Sequence, residues 1–194
     1  MLSCYLPGKI IWVDAAGWSD LLLGVVICAI KPPQQMLMER RISTTSFQPP
    51  NFRSKKYLAD SVKISDEIVT VMQADQDTCF KVCSEYILSS VAEHLVELGF
   101  KVEKVQSTGE LRGFAESEYI RWCQEKGVPK EITSEKRRFW SFLNWVAENP
   151  HLREDLVKTG WASWENKWRK EIYTKHADLK EKERLINKKG IFES

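Results

Sequence analysis

The chain has 194 residues, 43% hydrophobic and 29% charged, with a formal net charge of +2. That balance excludes a disordered polyelectrolyte, and it leaves room for one sizeable core. Five cysteines, an odd number scattered through apolar runs, do not form a dense disulfide scaffold and predict a reducing, cytoplasmic setting. Cys79 and Cys83 have no second pair at zinc-finger spacing.

In chain order, Lys9–Val13 and Val25–Ile30 are β-branched and apolar and predict two strands, joined as a hairpin through the turn residues Ala16–Asp20. Their apolar run from Leu21 to Ile30 is ten residues, too short to span a bilayer, so no membrane segment is expected. Met36 to Phe47 predicts a third strand, closed by Pro49 and Pro50. Tyr57, Leu58, Val62, Ile64, Ile68 and Met72 recur at helical spacing. Cys79–Cys83 predicts a short buried strand, after which Ser84 is placed as the cap of a helix running to Leu98 and stopped by Gly99. Phe100–Val105 predicts a fifth strand, and about Glu110 to Lys126 another helix opened by Thr108-Gly109. Strands that alternate with helices pair in parallel, so the expected fold is α/β with a mixed sheet. Residues 1–129 form this expected domain, and residues 130–194 a helical, Trp-rich extension. The extension is basic, with 15 basic against 11 acidic residues, while the first 129 carry 14 and 16.

The element order and the string V-D-A-A-G-W, leading into the strand GVVICAI, resemble the ribonuclease H-like superfamily, and in particular the opening D-E-A-G-R-G of type 2 ribonucleases H. Arg53-Ser54-Lys55-Lys56 is similar to the S-K-K that precedes a helix in that family. The likeness covers residues 9 to about 127. It implies metal-dependent cleavage of a nucleic-acid phosphodiester, with Mg2+ or Mn2+ held by carboxylates and RNA, DNA or an RNA/DNA hybrid as partner. By resemblance Asp14 alone carries over cleanly, since Ala15 and Trp18 stand where the subgroup keeps a glutamate and an arginine. A catalytically inactive protein of this fold, a nucleic-acid-binding or complex-assembly module, is the alternative.

Two hard ions need several oxygen ligands. Asp60 and Glu67 on the first helix, Glu85 after the fourth strand, and Glu110 after the fifth are the candidates to join Asp14, with Glu116 or Glu118 as substitutes. Each acid also has a plain reading as a turn, cap or solvated helix residue. For nucleic-acid contact the candidates are Trp18, Lys55, Lys56, Arg137 and Arg138, together with Trp161, Trp164 and Trp168 on one expected helical face and Arg169 and Lys170 directly after them. That tryptophan face serves equally as a core stripe or a protein contact. A third reading places a nucleophile at Cys83, at a strand end before a helix, although His94 is too far along that helix to act as its base.

Overall fold

β1 (Ile10–Ala16), β2 (Val25–Lys31) and β3 (Met36–Ile42) form an antiparallel meander, and β4 (Cys79–Cys83) and β5 (Lys101–Val105) join it in parallel. The strand order is β3-β2-β1-β4-β5, so the sheet is mixed and β1 is its centre. The computed structural model describes residues 9–32, 36–106, 109–135 and 137–190, the last three as backbone only. Thr108 of the expected helix opening and Lys136 lie outside the described residues.

Alternation along β1 divides the molecule into two layers. Ile11, Val13 and Ala15 point into one core, which α1 (Lys56–Val71) and α2 (Ser89–Glu97) cover with Ile64, Ile68, Val91 and Leu95. Ala16, Val26 and Cys28 point into a second core, covered by α3 (Gly109–Glu125) and by α5 (Phe139–Glu148). Between α3 and α5 lies the short α4 (Lys130–Thr133), and α6 (Pro150–Arg153) follows α5. A π-helical turn, Trp164–Trp168, then leads into α7 (Arg169–Gly190). Among the described residues no helix is long and apolar enough to cross a membrane.

Three local expectations are corrected. β1 does not end at Val13, because Ala15 and Ala16 continue the ladder against Ile27 and Val26, so Asp14 lies inside the central strand. β3 stops at Ile42, and Thr44–Phe47 forms a 3-10 turn capped by the Ser43 hydroxyl. Ser84 does not cap α2: its hydroxyl donates to the Val105 carbonyl across β4 and β5, and a 3-10 turn, Tyr86–Leu88, precedes the helix. Cys79 is disulfide-bonded, while Cys28, Cys83 and Cys123 are buried free thiols, so the odd count alone did not decide the pairing.

Parts of the chain between Ile132 and Tyr173 share the second core. Phe142, Leu143 and Val146 of α5 pack in the same cluster as Ala115, Tyr119 and Trp122 of α3. Residues 156–158 return to the first hairpin, where Leu22 and Val157 form an antiparallel bridge and the Lys158 N–H donates to the Leu21 carbonyl at 3.0 Å.

Candidate functional site

Parallel pairing of β1 with β4 sets the position of the acidic centre. Val13 is opposite Val82, which brings the next residues, Asp14 and Cys83, side by side at the carboxyl end of β4. Glu85 follows at the start of the 3-10 turn. Single ligand atoms of Asp14, Cys83 and Glu85 lie within 4.8 Å of one another. Asp14 is 3% exposed, and its Oδ1 accepts the Ala15 N–H at 2.8 Å.

A cation already meets these carboxylates. Arg112, from the first turns of α3, directs Nη1 to Glu85 Oε1 at 2.8 Å and to the Ala15 carbonyl at 2.8 Å, with Asp14 Oδ1 at 4.0 Å. Burial raises the pKa of Glu85 above the usual carboxylate range, and the Arg112 charge works against that rise. Burial likewise pushes the Cys83 thiol up, so it is held as a neutral thiol rather than a thiolate. His94 is engaged elsewhere, with Nε2 2.7 Å from Asp66. A nucleophilic Cys83 therefore has neither a lowered pKa nor that histidine as its base.

The remaining sequence candidates are distributed over the molecule. Glu110 is exposed on the first turn of α3 and is outside the Asp14–Cys83–Glu85 group. Asp60 and Glu67 belong to α1, on the opposite layer from α3. There Asp60 accepts from Lys56 and from Ser46 at 2.6 Å, and Glu67 pairs with Arg40 at 2.6 Å. Glu116 lies on α3 and pairs with Arg138, while Glu118 pairs with Arg121.

Next to the acidic centre is a cleft of about 780 Å3, lined by Trp18, Asp20, Glu85, Tyr86, Arg112, Glu116, Glu135 and Arg138 among others. Trp18 stands on its wall through ring contacts with Phe47, Tyr57 and Tyr86 at centroid distances of 6.1, 5.5 and 5.5 Å. Gly17 before it has φ +89°, and a Cβ there would overlap the Tyr119 ring, so this turn requires glycine. Arg138 ties three elements together. Its Nη2 and Nε donate to Asp20 at 2.7 and 3.1 Å, Nη1 donates to Glu116, and the guanidinium lies 5.3 Å from the Tyr119 ring centre. Burial opposes that charge, but Asp20 and Glu116 more than offset it and raise the Arg138 pKa.

The basic and aromatic candidates divide by exposure. Trp164 is 1% exposed and fills the second core, with Trp161 and Trp168 packed against it. Trp168 meets Phe139 and Trp140 edge-on at 5.1 and 5.4 Å. Trp164 is sealed in this way and presents no face for a base to stack on, whereas Trp161 and Trp168 are half-buried. Arg169 pairs with Glu154 at 2.6 Å, and Lys56 pairs with Asp60. Arg137, Lys55 and Lys170 are exposed, Lys55 with a left-handed backbone at the start of α1.

Local sequence pattern points to none of Arg112, Tyr86 and Lys158, and to Cys83 only as a nucleophile. Arg112 is one arginine on a helix of weakly amphipathic pattern, and its partners lie 27 and 97 positions away. No local spacing marks it.

The donor set does not fit two magnesium ions. Two carboxylates and a thiol are too few and partly too soft for hard cations, and the Arg112 guanidinium stands against the carboxylates such ions would use.

No family model matches the chain, and no curated protein matches it. Among solved structures it is similar to the catalytic core domain of BIV integrase, with a TM-score of 0.35 and 7% identity over 65% of this chain and 78% of that one.

Proposed function

We propose that this chain is a ribonuclease H-like protein whose acidic centre is closed by an internal cation, and that it serves as a noncatalytic, complex-assembly module. The strand order β3-β2-β1-β4-β5 and the position of Asp14 on the central strand support the superfamily reading made from the sequence. One observation carries the loss of catalysis: Arg112 Nη1 is 2.8 Å from Glu85 and 4.0 Å from Asp14. A guanidinium at that range supplies the positive charge a metal would bring, and like charges repel a second cation. Among inactive modules, a protein partner is favoured over nucleic acid at the cleft. Asp20, Glu85, Glu116 and Glu135 outnumber Arg112 and Arg138 on its lining, which repels phosphate.

The competing reading is cleavage with Mg2+ or Mn2+ using Asp14, Glu85, Glu110, Glu67 and Asp60. Its support is the convergence of Asp14, Cys83 and Glu85 within 4.8 Å. One experiment separates the two: the purified chain is incubated with RNA, DNA and hybrid substrates in Mg2+ or Mn2+, and its melting temperature is followed with each ion. No cleavage and no ion-dependent shift are expected. Turnover that disappears in Asp14→Asn would overturn the proposal.

A further inference from the structure

Lys158 is fully buried, and its ammonium is enclosed by backbone oxygens of the β1–β2 turn. Nζ donates to the carbonyl of Gly17, to that of Trp18 at 3.2 Å and to that of Asp20 at 3.0 Å. All three acceptor residues line the cleft beside the acidic centre. The segment that delivers the side chain is itself fixed. Leu23 N–H donates to the Leu156 carbonyl at 2.6 Å, the Gln48 amide donates to the Val157 carbonyl at 2.9 Å, and Gly160 N–H donates to the Phe47 carbonyl at 2.9 Å.

We infer that Lys158 is a positioning residue of the cleft: charged, it clasps the carbonyls of Gly17, Trp18 and Asp20 and holds Trp18 in the wall, and loss of one proton releases that wall. An ammonium has three N–H donors for three carbonyls, whereas a neutral amine has two, so deprotonation removes at least one of these hydrogen bonds, although the Gly17 carbonyl also accepts the Asp20 N–H at 3.2 Å. The ionisable groups that act on it are Asp20 from the same turn and Cys123 from α3, and these are in turn met by Arg138 ahead of α5 and by Tyr119 of α3. Burial pushes the Cys123 thiol up to about 12 and raises the Tyr119 phenol well above its ordinary value, so both stay neutral near pH 7. Arg138 stays charged, because Asp20 and Glu116 raise it further. Burial lowers Lys158 itself to about 7, which puts its change of charge inside the physiological range.

This inference rests on the cleft beside Asp14 being the functional site. Its test reads Trp18 and Lys158 directly, so it can fail while the noncatalytic reading stands, and the reverse. The full chain is labelled with 5-fluorotryptophan and, separately, with lysine carrying 13C at Cε. The Trp18 and Lys158 signals are identified with Trp18→Phe and Lys158→Met, and both are followed from about pH 5.5 to about 9. The Lys158 signal is expected to titrate with a midpoint near 7, the Trp18 fluorine signal to follow the same midpoint, and Lys158→Met to abolish that dependence. Where the methionine variant does not fold, Lys158→Arg keeps its charge through this range and is expected to hold Trp18 at its low-pH position. A Lys158 signal that does not titrate, a Trp18 signal that ignores Lys158, or a Trp18 titration that survives either substitution overturns the inference.

Discussion

The two faces of the sheet are built from different materials. On the α1–α2 face the core is made of aliphatic and aromatic side chains such as Ile11, Val13, Phe80, Val82 and Leu95, each at most 1% exposed. On the α3–α5 face, charged groups are set among the apolar ones: Asp14 at 3% exposed, Lys158 at 0%, and an Arg138 side chain at 11%. A buried charge contributes little net stability, because desolvation cancels most of its attraction even when it is paired. The second face therefore holds groups that the fold alone does not require. Asp14, Arg138 and Lys158 lie on it, while Cys83 belongs to the first core and Trp18 packs against that core, so the site spans the border between the two.

Substitutions on the two faces test that contrast, and the largest effect is expected on the plain side. Phe80→Ala, which removes a ring packed at 5.1 Å from Phe100, is expected to cost about 4 kcal/mol in urea unfolding. On the charged side, Arg138→Ala leaves Asp20 and Glu116 without their cation and is expected to cost about 3 kcal/mol. A loss below about 1 kcal/mol would mean that water reaches these carboxylates and that the second face is not the desolvated cluster described.

A pH dependence accompanies these losses. The folded pKa of Lys158, about 7, lies below its ordinary 10.5, so between these values the unfolded chain binds more protons than the folded one. Stability then rises with pH across that window, by up to about 1.4 kcal/mol per unit for one proton, and the slope is expected to vanish in Lys158→Met. Protonation thus orders the cleft wall while reducing overall stability. The smallest change in stability is expected for Arg112→Ala. Its side chain is 39% exposed, so water screens its ion pairs, and the cost is about 1 kcal/mol or less. The same variant sharpens the comparison in another way: with the guanidinium gone, Mn2+ is expected to raise its melting temperature although it leaves the parent chain unchanged. A variant indifferent to Mn2+ would show that Arg112 is not what keeps an ion out.

The scaffold was more legible than the chemistry. The β-branched apolar run Val25–Ile30, the apolar run Cys79–Cys83 and the stop at Gly99 are local signals, and each element appears where its residues put it. Boundaries moved where tertiary pairing overrode local signals, as at Ala15 and Ala16, whose partners are on β2. Asp14 could be singled out because a carboxylate in an apolar strand is costly and needs a reason. What answers it was not legible, since Arg112 is 97 positions from the Ala15 carbonyl it also binds, and neither residue's neighbours announce the other. The tryptophan spacing was visible, but spacing alone does not tell a face turned outward from one turned inward. Trp164 is buried because α3 and α5 supply an apolar layer for it.

The bridge between Leu22 and Val157 has a consequence for how the protein is made. The clasp joins residues 140 positions apart, Lys158 and Trp18, so the cleft wall cannot close when its own hairpin leaves the ribosome. At roughly 5–20 residues per second the β1–β2 turn waits on the order of 10 s for its lysine. During that interval the first layer can form around β1 while the turn of the second stays open, and a nascent chain stopped before residue 158 carries the acidic strand without its finished cleft.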